Sequence, residues 1–284
     1  MNYRHAYHAG NFADVLKHSV LALVIAHLKL KDAPFRIIDT HAGAGLYDLG
    51  GVEAGKTGEW RGGIGRLLGR DAPLLPAPVA ALLEPYLSAV RDLNAGGMLV
   101  TYPGSPRLAL ALMRPQDRLI ANELHADDAK TLVAALHRDR RAKTLELDAW
   151  IALKSLLPPR ERRGLILIDP PFEQRDELEQ LTQGLREATR RFATGTYLVW
   201  YPIKDTKKIA AFHKAVANEF PRALSVELLV RAPHDPDTLN GCGLLAIHPP
   251  HTLHAKLDTL LPFLAERLTQ AHGASGTVTH LGAR

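Results

Sequence analysis

Short apolar runs alternate with helical patterns along this chain. Several runs are continuously hydrophobic, as in strands that are covered on both faces. The runs predicted as strands are Phe35–Asp39, Arg118–Asn122, Thr144–Leu147, Gly164–Asp169, Thr196–Tyr201, Ser225–Leu229 and Gly243–Ile247. The segments with helical periodicity are Phe12–Leu30, Pro106–Met113, Asp127–Arg138, Trp150–Leu156, Glu177–Arg191 and Lys207–Phe220. This alternation predicts an α/β fold with a doubly wound, mostly parallel sheet.

A long segment, residues 46–98, separates the first two predicted strands. It is rich in Gly and Pro and contains two helical patterns, Glu59–Leu68 and Val79–Leu93. Connections in α/β folds are usually far shorter, and long structureless loops are unusual in compact domains. We therefore expect a helical insertion at residues 46–98 within a single domain of residues 1–284. The tail from His272 is expected to fray.

The composition is that of an ordinary globular protein, and the chain is long enough to bury a sizeable core. Of the 284 residues, 46% are hydrophobic and 23% are charged, and 35 basic against 30 acidic side chains give a net charge of +5. That balance is compatible with a nucleic-acid partner, although many enzymes are mildly basic. The single cysteine, Cys242, excludes an intramolecular disulfide and a cysteine zinc cluster.

The first residues show no secretory signal pattern. The apolar run Val20–Leu30 is short and is interrupted by His27 and Lys29, so it predicts a core helix rather than a membrane span. We therefore expect a cytoplasmic protein.

The tetrapeptide Asp169-Pro170-Pro171-Phe172 follows the buried run at 165–168. These residue types suit the methylation of an exocyclic amino group, whose lone pair is delocalised into the ring. The Asp169 carboxylate would accept one N–H hydrogen bond and the Pro170 carbonyl the other, while the prolines keep the turn rigid. Phe172 would stack on the base, which is worth about 1–3 kcal/mol. An ordinary Pro-Pro turn is the competing interpretation, so the motif depends on its neighbours.

A glycine turn, Asp-Thr-His-Ala-Gly-Ala-Gly from Asp39 to Gly45, follows the first predicted strand. Gly43 and Gly45 allow a sharp turn and close backbone approach to a bound nucleoside or amino acid. The third glycine of a dinucleotide fingerprint and the Gly-Lys-Ser/Thr of a phosphate loop are both missing. A purely structural turn is the alternative.

Acidic residues follow the next three predicted strands: Glu123, Asp148 and Asp169. Glu123 is suited to accept hydrogen bonds from both ribose hydroxyls of an adenosyl ligand, and Asp148 is placed to receive the adenine amine. Ligands of open α/β sheets bind beyond the carboxyl ends of the strands. Any one acid is readily explained as a surface residue. The three acids and the glycine turn together make four sites at strand ends in register, and this arrangement indicates a ligand site.

The N-terminal segment is dense in histidines and cations. His5, His8 and His18 lack the spacing of metal ligands, so no metal site is predicted. The helix that begins near Asn11 would instead cover one end of the ligand, with Lys17 reaching nucleic-acid phosphate. A solvated helix residue is the alternative for Lys17.

Two further segments lie near the predicted strand ends. Ser105 and Pro106 are explained by helix initiation alone, so a ligand role for Gly104 or Ser105 rests on spacing. After the fifth strand, Trp200 is predicted to pack in the core and Tyr201 to line the target pocket. The lysines that follow either contact RNA phosphate or are solvated: Lys204, Lys207 and Lys208.

Together these residues resemble the class I S-adenosylmethionine-dependent amino-methyltransferases, and more narrowly the bacterial 23S ribosomal RNA adenine-N6 methyltransferases of the RlmJ type. The matching segments, spread over nearly the whole chain, are Tyr3–His5, His8–Asn11, Asp14–His18, Asp39–Gly45, Pro103–Pro106, Arg163–Pro171 and Trp200–Pro202. The resemblance implies a Rossmann-like, seven-stranded sheet with a small helical subdomain inserted after the first strand. It also implies methyl transfer from S-adenosylmethionine to N6 of an adenine in 23S ribosomal RNA.

The resemblance implies roles position by position. The residues expected to contact the cofactor are His18, His41, Gly43, Gly104, Ser105, Glu123, Asp148, Ala149 and Asp169. Asp169 would also orient the adenine N6, with Pro170 and Phe172 completing the catalytic motif. Tyr3, Arg4 and Lys17 would contact the RNA. The chain departs from the family at Phe172, where Tyr is common, but stacking survives the loss of a hydroxyl.

Other classes stay open at this point. A DNA adenine-N6 methyltransferase uses the same tetrapeptide but needs a region that reads base pairs, and residues 46–98 show no concentrated basic patch in the sequence. Relatives that methylate protein glutamine have Asn in place of Asp169. The intact acids argue against a non-catalytic RNA-binding ribosome assembly factor, and the missing glycine against a nicotinamide-dependent oxidoreductase. We expect a monomer that binds ribosomal RNA without a metal or a membrane.

Overall fold

The computed structural model describes residues 4–173 and 176–282. Its strands are β1 (Arg36–Asp39), β2 (Leu46–Asp48), β3 (Thr101–Pro103), β4 (Arg118–Asn122), β5 (Ala142–Leu145), β6 (Gly164–Ile168), β7 (Thr196–Ile203), β8 (Leu224–Leu229), β9 (Gly241–Ile247) and β10 (Ser275–His280). Within the described ranges, eight of them form one sheet in the order β10-β8-β9-β7-β6-β1-β4-β5. β2 and β3 pair separately as an antiparallel ribbon.

The centre of the sheet is parallel. β1 lies between β4 and β6, so that Ile37 is opposite Leu119 on one side and Leu165 on the other. β9 runs antiparallel between β7 and β8. The predicted α/β, Rossmann-like, mostly parallel fold is confirmed, but the described part of the sheet has eight strands rather than the expected seven.

The additional strand is β10, in the tail that was expected to fray. It pairs antiparallel with β8 along its whole length, from Ser275 opposite Leu229 to His280 opposite Leu224. Its residues are exposed or half-buried and include glycine, so they carry little of the apolar alternation by which a strand is recognised. The pairing is decided by the open edge that β8 offers.

Helices cover both faces of the sheet. They are α1 (Phe12–Leu28), α2 (Val52–Thr57), α3 (Gly65–Leu68), α4 (Ala77–Asp92), α5 (Ser105–Leu112), α6 (Ala126–Leu136), α7 (Ala149–Leu156), α8 (Glu177–Arg191), α9 (Thr206–Glu219) and α10 (Leu253–Arg267), with short 3-10 helices at His5–Tyr7 and Glu59–Gly62. Among the described residues, every helix is too short or too polar to cross a lipid bilayer.

α1 is the most buried of the helices that position the site. Asn11 begins it, because its side-chain oxygen accepts hydrogen bonds from Ala13 N at 3.0 Å and Asp14 N at 3.1 Å. The helix contacts the sheet on one side and α4, α5 and α10 on the other. As a result, even its polar residues Lys17 and His18 are buried.

Residues 46–98 contain β2, α2, α3 and α4. α4 packs on α1, with Leu83 and Tyr86 fully buried, so its apolar face belongs to the main core. That residues 46–98 form a distinct helical subdomain within one domain of residues 1–284 stays a prediction.

Asn122 joins the loops at the carboxyl edge of the sheet. Its side-chain nitrogen donates to the carbonyls of Thr40 at 3.0 Å and Leu147 at 2.8 Å, and its oxygen accepts from Leu147 N at 3.1 Å. The ends of β1, β4 and β5 are thereby tied together, and the residues that follow these strands are held at fixed separations.

Asn122→Leu keeps the size of this side chain but leaves two carbonyls and one N–H without a partner. We expect the free energy of unfolding to fall by about 2–4 kcal/mol, as for other buried unpaired polar groups. Urea unfolding measures the change, with exposed Asn218→Leu on α9 as the matched control. Equal stability of the two variants would contradict the role of Asn122.

Candidate active site

A cavity of about 810 Å³ opens at the carboxyl edge of the parallel strands. The predicted site residues that line it are His18, His41, Gly43, Gly104, Ser105, Glu123, Asp169, Pro170 and Phe172, together with Lys17. They come from α1 and from the segments that follow β1, β3, β4 and β6. The structure therefore brings together residues from more than half of the chain's length, Lys17 to Phe172, in one concave site.

The glycine turn after β1 is held by Glu123. Gly43 has a φ of +60°, and a Cβ there would lie 2.2 Å from the Tyr47 hydroxyl, so the position requires glycine. Glu123 Oε2 accepts from Gly43 N at 2.8 Å and Oε1 from His125 N at 2.8 Å. Each carboxylate oxygen has a second lone pair, so Glu123 keeps acceptor capacity towards the cavity. Burial raises the pKa of this residue.

The start of α5 approaches the same turn. Gly104 N donates to the carbonyl of Gly45 at 3.0 Å, and a Cβ on Gly104 would lie 3.1 Å from the Tyr47 ring. Behind Ser105, Asp39 is buried. Burial raises the pKa of Asp39 to about 7, although a hydrogen bond from Ser105 opposes the shift.

Asp148 and Ala149 do not line this cavity. Asp148 is exposed and begins α7, where Oδ1 accepts from Trp150 N and Ile151 N, both at 3.0 Å. Burial lowers the pKa of His41 to about 4, and the negative charge of Asp148 is among those that oppose this shift. The side chain thus lies at the rim of the site and has a structural role as a helix cap. Its predicted contact with the cofactor stays a prediction.

A buried chain of charges joins α1 to the end of β6. Lys17 Nζ lies 2.8 Å from Asp14 Oδ1 and 2.5 Å from Asp169 Oδ2, and Lys17 is only 4% exposed. Asp14 Oδ2 also contacts His5 Nε2 at 2.9 Å and accepts from Gly10 N at 2.8 Å. Burial alone would lower the pKa of Lys17, but the two carboxylates raise it well above its usual value.

Lys17 is therefore neither a solvated helix residue nor a surface contact for RNA phosphate. Its ammonium faces the interior of the site, where only a nucleotide that enters the cavity would reach it. That Lys17 contacts RNA stays a prediction, and it now applies only to a nucleotide that enters the cavity.

His18 contributes an unpartnered polar atom to the cavity wall. Its Nδ1 contacts the Tyr102 hydroxyl at 2.8 Å, and the two rings stack with centroids 5.5 Å apart. In the described part of the chain, its buried Nε2 has no hydrogen-bond partner and lies 4.0 Å from Asp14 Oδ1. Burial lowers the pKa of His18 to about 3, so the ring is neutral at pH 7.

Phe172 and Trp200 form an aromatic pair at the mouth of the cavity. Their ring centroids are 5.7 Å apart at an interplanar angle of 64°. Phe172 has a φ of +52°, a conformation rare for an aromatic residue. Such strain concentrates at functional sites, where the surrounding structure holds it in place.

The predicted position of Tyr201 was wrong, whereas Trp200 packs against the core as predicted and also lines the cavity. Trp200 is half-buried and lines the cavity, whereas Tyr201 is fully buried on the other face of β7. There its hydroxyl contacts His213 Nε2 and Ser225 Oγ, both at 2.9 Å. Because successive strand residues point to opposite faces, an error of one position reverses the assignment. Pro202 then faces the cavity with Trp200.

The remaining predicted RNA contacts lie at the rim or outside the described residues. Arg4 is half-exposed and forms long ion pairs with Glu53 at 3.8 Å and Asp128 at 3.6 Å. Tyr3 lies outside the described ranges. Of the three lysines after β7, Lys204 and Lys208 line the cavity mouth.

Comparisons with known proteins agree with this site. The model of the family described as "Ribosomal RNA large subunit methyltransferase D, RlmJ" matches residues 32–280. Ribosomal RNA large subunit methyltransferase J of Escherichia coli (strain K12) is 42% identical over 280 residues, and the protein of that name from Haemophilus influenzae (strain Rd) is 40% identical over 282 residues; each alignment covers 98% of both chains. The chain belongs to this RlmJ family.

A solved structure is similar over almost the whole length. The crystal structure of a protein from Legionella pneumophila (str. Philadelphia 1) has a TM-score of 0.87 and 34% identity, and the match covers 96% of this chain and 98% of that one. Membership of the RlmJ family identifies the chain as a methyltransferase, so the predicted enzyme class is confirmed.

Sequence reasoning missed several residues that shape this RlmJ-family site. Asp14 entered only as the first residue of the matching segment Asp14–His18, and the hydrogen bonds of Asn122 were not foreseen. Asn11, a residue type typical of helix N-caps, indicated the start of α1. It did not indicate that Asp14, three residues later, is buried. Among the described residues, no cluster of three or more His, Cys, Asp or Glu side chains has metal-site geometry.

Because of Asp39, we expect the free energy of unfolding to fall as pH rises. Its pKa in the folded protein is about 7, against a usual 3.8, so the folded state holds the proton more tightly. Stability is therefore lost as pH rises between these values, by roughly 3 kcal/mol between pH 5 and pH 8. Asp39→Asn should remove this part of the pH dependence in urea unfolding, whereas exposed Asp92→Asn should behave as wild type. An unchanged pH slope in Asp39→Asn would be inconsistent with a raised pKa.

Lys17→Met keeps the length of the side chain but leaves Asp14 and Asp169 facing each other without a cation. We expect a loss of about 3–5 kcal/mol in the free energy of unfolding at pH 8. Lys17→Met/Asp14→Asn should regain part of the stability, and exposed Lys214→Met serves as control. A loss no larger than that of Lys214→Met would count against the charge chain.

Proposed function

We propose that this chain transfers the methyl group of S-adenosylmethionine to N6 of an adenine in 23S ribosomal RNA. The observation that carries the proposal is the position of Asp169-Pro170-Pro171-Phe172. The motif follows β6 and lines the same cavity as the glycine turn after β1 and Glu123 after β4. An amine-orienting acid and a nucleoside-sized cleft are thereby adjacent.

The residues present fit S-adenosylmethionine. The cavity offers acceptor capacity on Glu123 for ribose hydroxyls, the unpartnered Nε2 of His18, and a glycine turn that approaches closely because Gly43 has no side chain. We assign His18, His41, Gly43, Gly104, Ser105, Glu123 and Asp169 to cofactor binding, with Asp148 and Ala149 at its rim. When bound, the cofactor supplies an electrophilic methyl group on a sulfonium.

The target amine would be oriented by the strand end. The Asp169 carboxylate accepts one N–H hydrogen bond and the Pro170 carbonyl the other, which steers the nitrogen lone pair towards the reacting face. These bonds strengthen as positive charge develops on N6, so they favour the transition state over the ground state. Lys17 holds the Asp169 carboxylate in place through its 2.5 Å contact.

The base itself would stack on Phe172. Trp200 supports that ring from the side, and the positive φ of Phe172 fixes its direction. Base stacking on an aromatic side chain contributes about 1–3 kcal/mol. An adenine inside a duplex cannot reach the cavity, so the target must be unpaired or flipped out at a cost of a few kcal/mol. Asp169 or water takes the proton released from N6 after transfer.

Ribosomal RNA is preferred over DNA because both relatives carry "Ribosomal RNA large subunit methyltransferase J" as their name. The candidate RNA contacts are Tyr3, which lies outside the described residues, Arg4 and, inside the cavity, Lys17. On this proposal the protein acts in the cytoplasm, as a monomer, and without a metal ion.

The proposal is tested by methyl transfer from labelled S-adenosylmethionine to protein-free 23S and 16S ribosomal RNA and to duplex DNA. We expect label in 23S RNA, recovered as N6-methyladenine. Asp169→Asn keeps the shape of the side chain but loses its charge, so turnover should fall at least about 100-fold while the cofactor still binds.

Exposed Asp258→Asn on α10 is the control and should methylate as wild type. Label only in DNA would move the chain to the DNA adenine-N6 class. Cofactor binding without methylation of either RNA or DNA would favour a non-catalytic role or a ribosomal particle as substrate. Full turnover in Asp169→Asn would refute the assigned role of that carboxylate.

A further inference from the structure

A second cavity, of about 370 Å³, lies outside the active site. Its walls include Trp60 and four arginines, Arg61, Arg66, Arg70 and Arg267, and we call it the arginine cavity. Three of the arginines come from residues 46–98, and the fourth is the last residue of α10. The sequence showed no concentrated basic patch in residues 46–98, and the fold creates one by adding Arg267.

One acidic residue, Asp71, also lines the arginine cavity, so acids offset the charge of the four arginines only in part. Within residues 4–173 and 176–282, none of the four arginines forms an ion pair with a carboxylate. Elsewhere on the molecule arginines commonly do so, as Arg36 does with Glu161 at 2.8 Å. A concave surface with only partly compensated guanidinium groups is a site for an anion.

Two of the guanidinium groups are held rigidly by neutral backbone oxygens. Arg66 Nη1 donates to the carbonyls of Arg267 at 3.1 Å and Thr269 at 2.6 Å. Arg267 Nη1 donates in return to the carbonyls of Arg66 at 3.1 Å and Pro73 at 3.0 Å. These bonds fix the side chains without cancelling their charge, so little conformational entropy remains to be lost on binding an anion.

The aromatic wall suits a nucleotide better than a simple anion. The Arg61 guanidinium lies over the Trp60 ring, 4.9 Å from its centroid. The buried Trp60 Nε1 has no hydrogen-bond partner among the described residues. Flat cationic and aromatic surfaces beside phosphate-binding arginines are the elements with which proteins bind nucleic-acid strands.

The arginine cavity is joined to the active site by the 3-10 helix Glu59–Gly62. On one side, Glu59 Oε2 accepts from Asn11 Nδ2 at 3.0 Å, and Asn11 lines the active-site cavity. The next residue, Trp60, lines the arginine cavity. Ile64 N also donates to the carbonyl of Gly10 at 2.8 Å. A strand whose target base enters the active site would therefore pass this helix.

We propose that the arginine cavity binds the sugar-phosphate backbone of RNA that flanks the methylated adenine. This inference rests on the proposed function, and it adds an RNA contact site formed by residues 60–73 and the end of α10. Phosphate contacts position an RNA without reading its sequence, so the cavity contributes affinity and orientation, and the active site supplies base selection.

The test uses Arg61→Gln/Arg70→Gln, because both side chains are exposed and, among the described residues, neither makes a hydrogen bond that supports the fold. Matched controls are Arg138→Gln/Arg140→Gln, two exposed arginines between α6 and β5 that change the net charge equally, and Arg61→Lys/Arg70→Lys, which keeps the charge. Binding of protein-free 23S RNA is measured by filter binding from 0.05 to 0.2 M salt, and KM and kcat are measured in the methylation assay.

We expect Arg61→Gln/Arg70→Gln to raise the Kd and KM for RNA about tenfold with kcat at saturating RNA unchanged, and to reduce the slope of log Kd against log salt by about 1 to 2. The lysine variant should keep most of the slope. The variant Trp60→Leu should also weaken RNA binding. Its slope of log Kd against log salt should equal that of the wild type, because stacking is not a charge contact.

Wild-type RNA affinity in Arg61→Gln/Arg70→Gln, or an equal loss in Arg138→Gln/Arg140→Gln, would overturn the assignment. Failure of the proposed function is recognised separately, since the wild-type protein would then not methylate 23S RNA at all. The binding measurement still decides the role of the arginine cavity in that case.

Discussion

The site depends on one buried cation. Lys17 lies between Asp14 on its own helix and Asp169 at the end of β6, and desolvation makes each of these charges unfavourable without the others. Their contact fixes α1 against the strand end that carries the Asp169-Pro170-Pro171-Phe172 motif. It also fixes the N-terminal segment, because Asp14 binds His5 and Gly10 N. The helix that lines the cavity and the acid proposed to orient the substrate are therefore positioned by one interaction.

A second constraint is the meeting of strand ends at one edge of a parallel sheet. Parallel strands place their carboxyl ends together, and loops there are free to carry ligand-binding groups. In this protein the separations at the edge are set by Asn122 and by Glu123, which bind the backbone of neighbouring loops. Polar groups that organise the site are thus themselves hydrogen-bonded, and Glu123 still has lone pairs for a ligand.

Much of the fold could be predicted, because the strands of the central sheet are continuous apolar runs. The alternation of these strands with helices can also be recognised from short stretches of sequence. β10 could not, since its polar, exposed residues form a strand only where β8 leaves an edge open. In the site, Glu123 and Asp169 were found from their place after strands, whereas Asp148 proved to be an exposed helix cap outside the cavity. Tyr201 was wrongly placed in the cavity because the face to which a strand residue points depends on register, which pairing with β9 decides.

The sequence by itself determined the fold class, the strand ends that carry the motif residues, and the resemblance to the RlmJ methyltransferases. These features follow from short-range patterns: periodicity, turn residues and the type of side chain after each strand. Only the tertiary structure decided that Lys17 is buried against an acid 152 positions away, and that Arg267 joins three arginines of residues 46–98 around one cavity. The physical reason is that the burial of a charged side chain and its ion-pair partner depend on which distant segments pack against it. The neighbouring residues in the sequence determine neither.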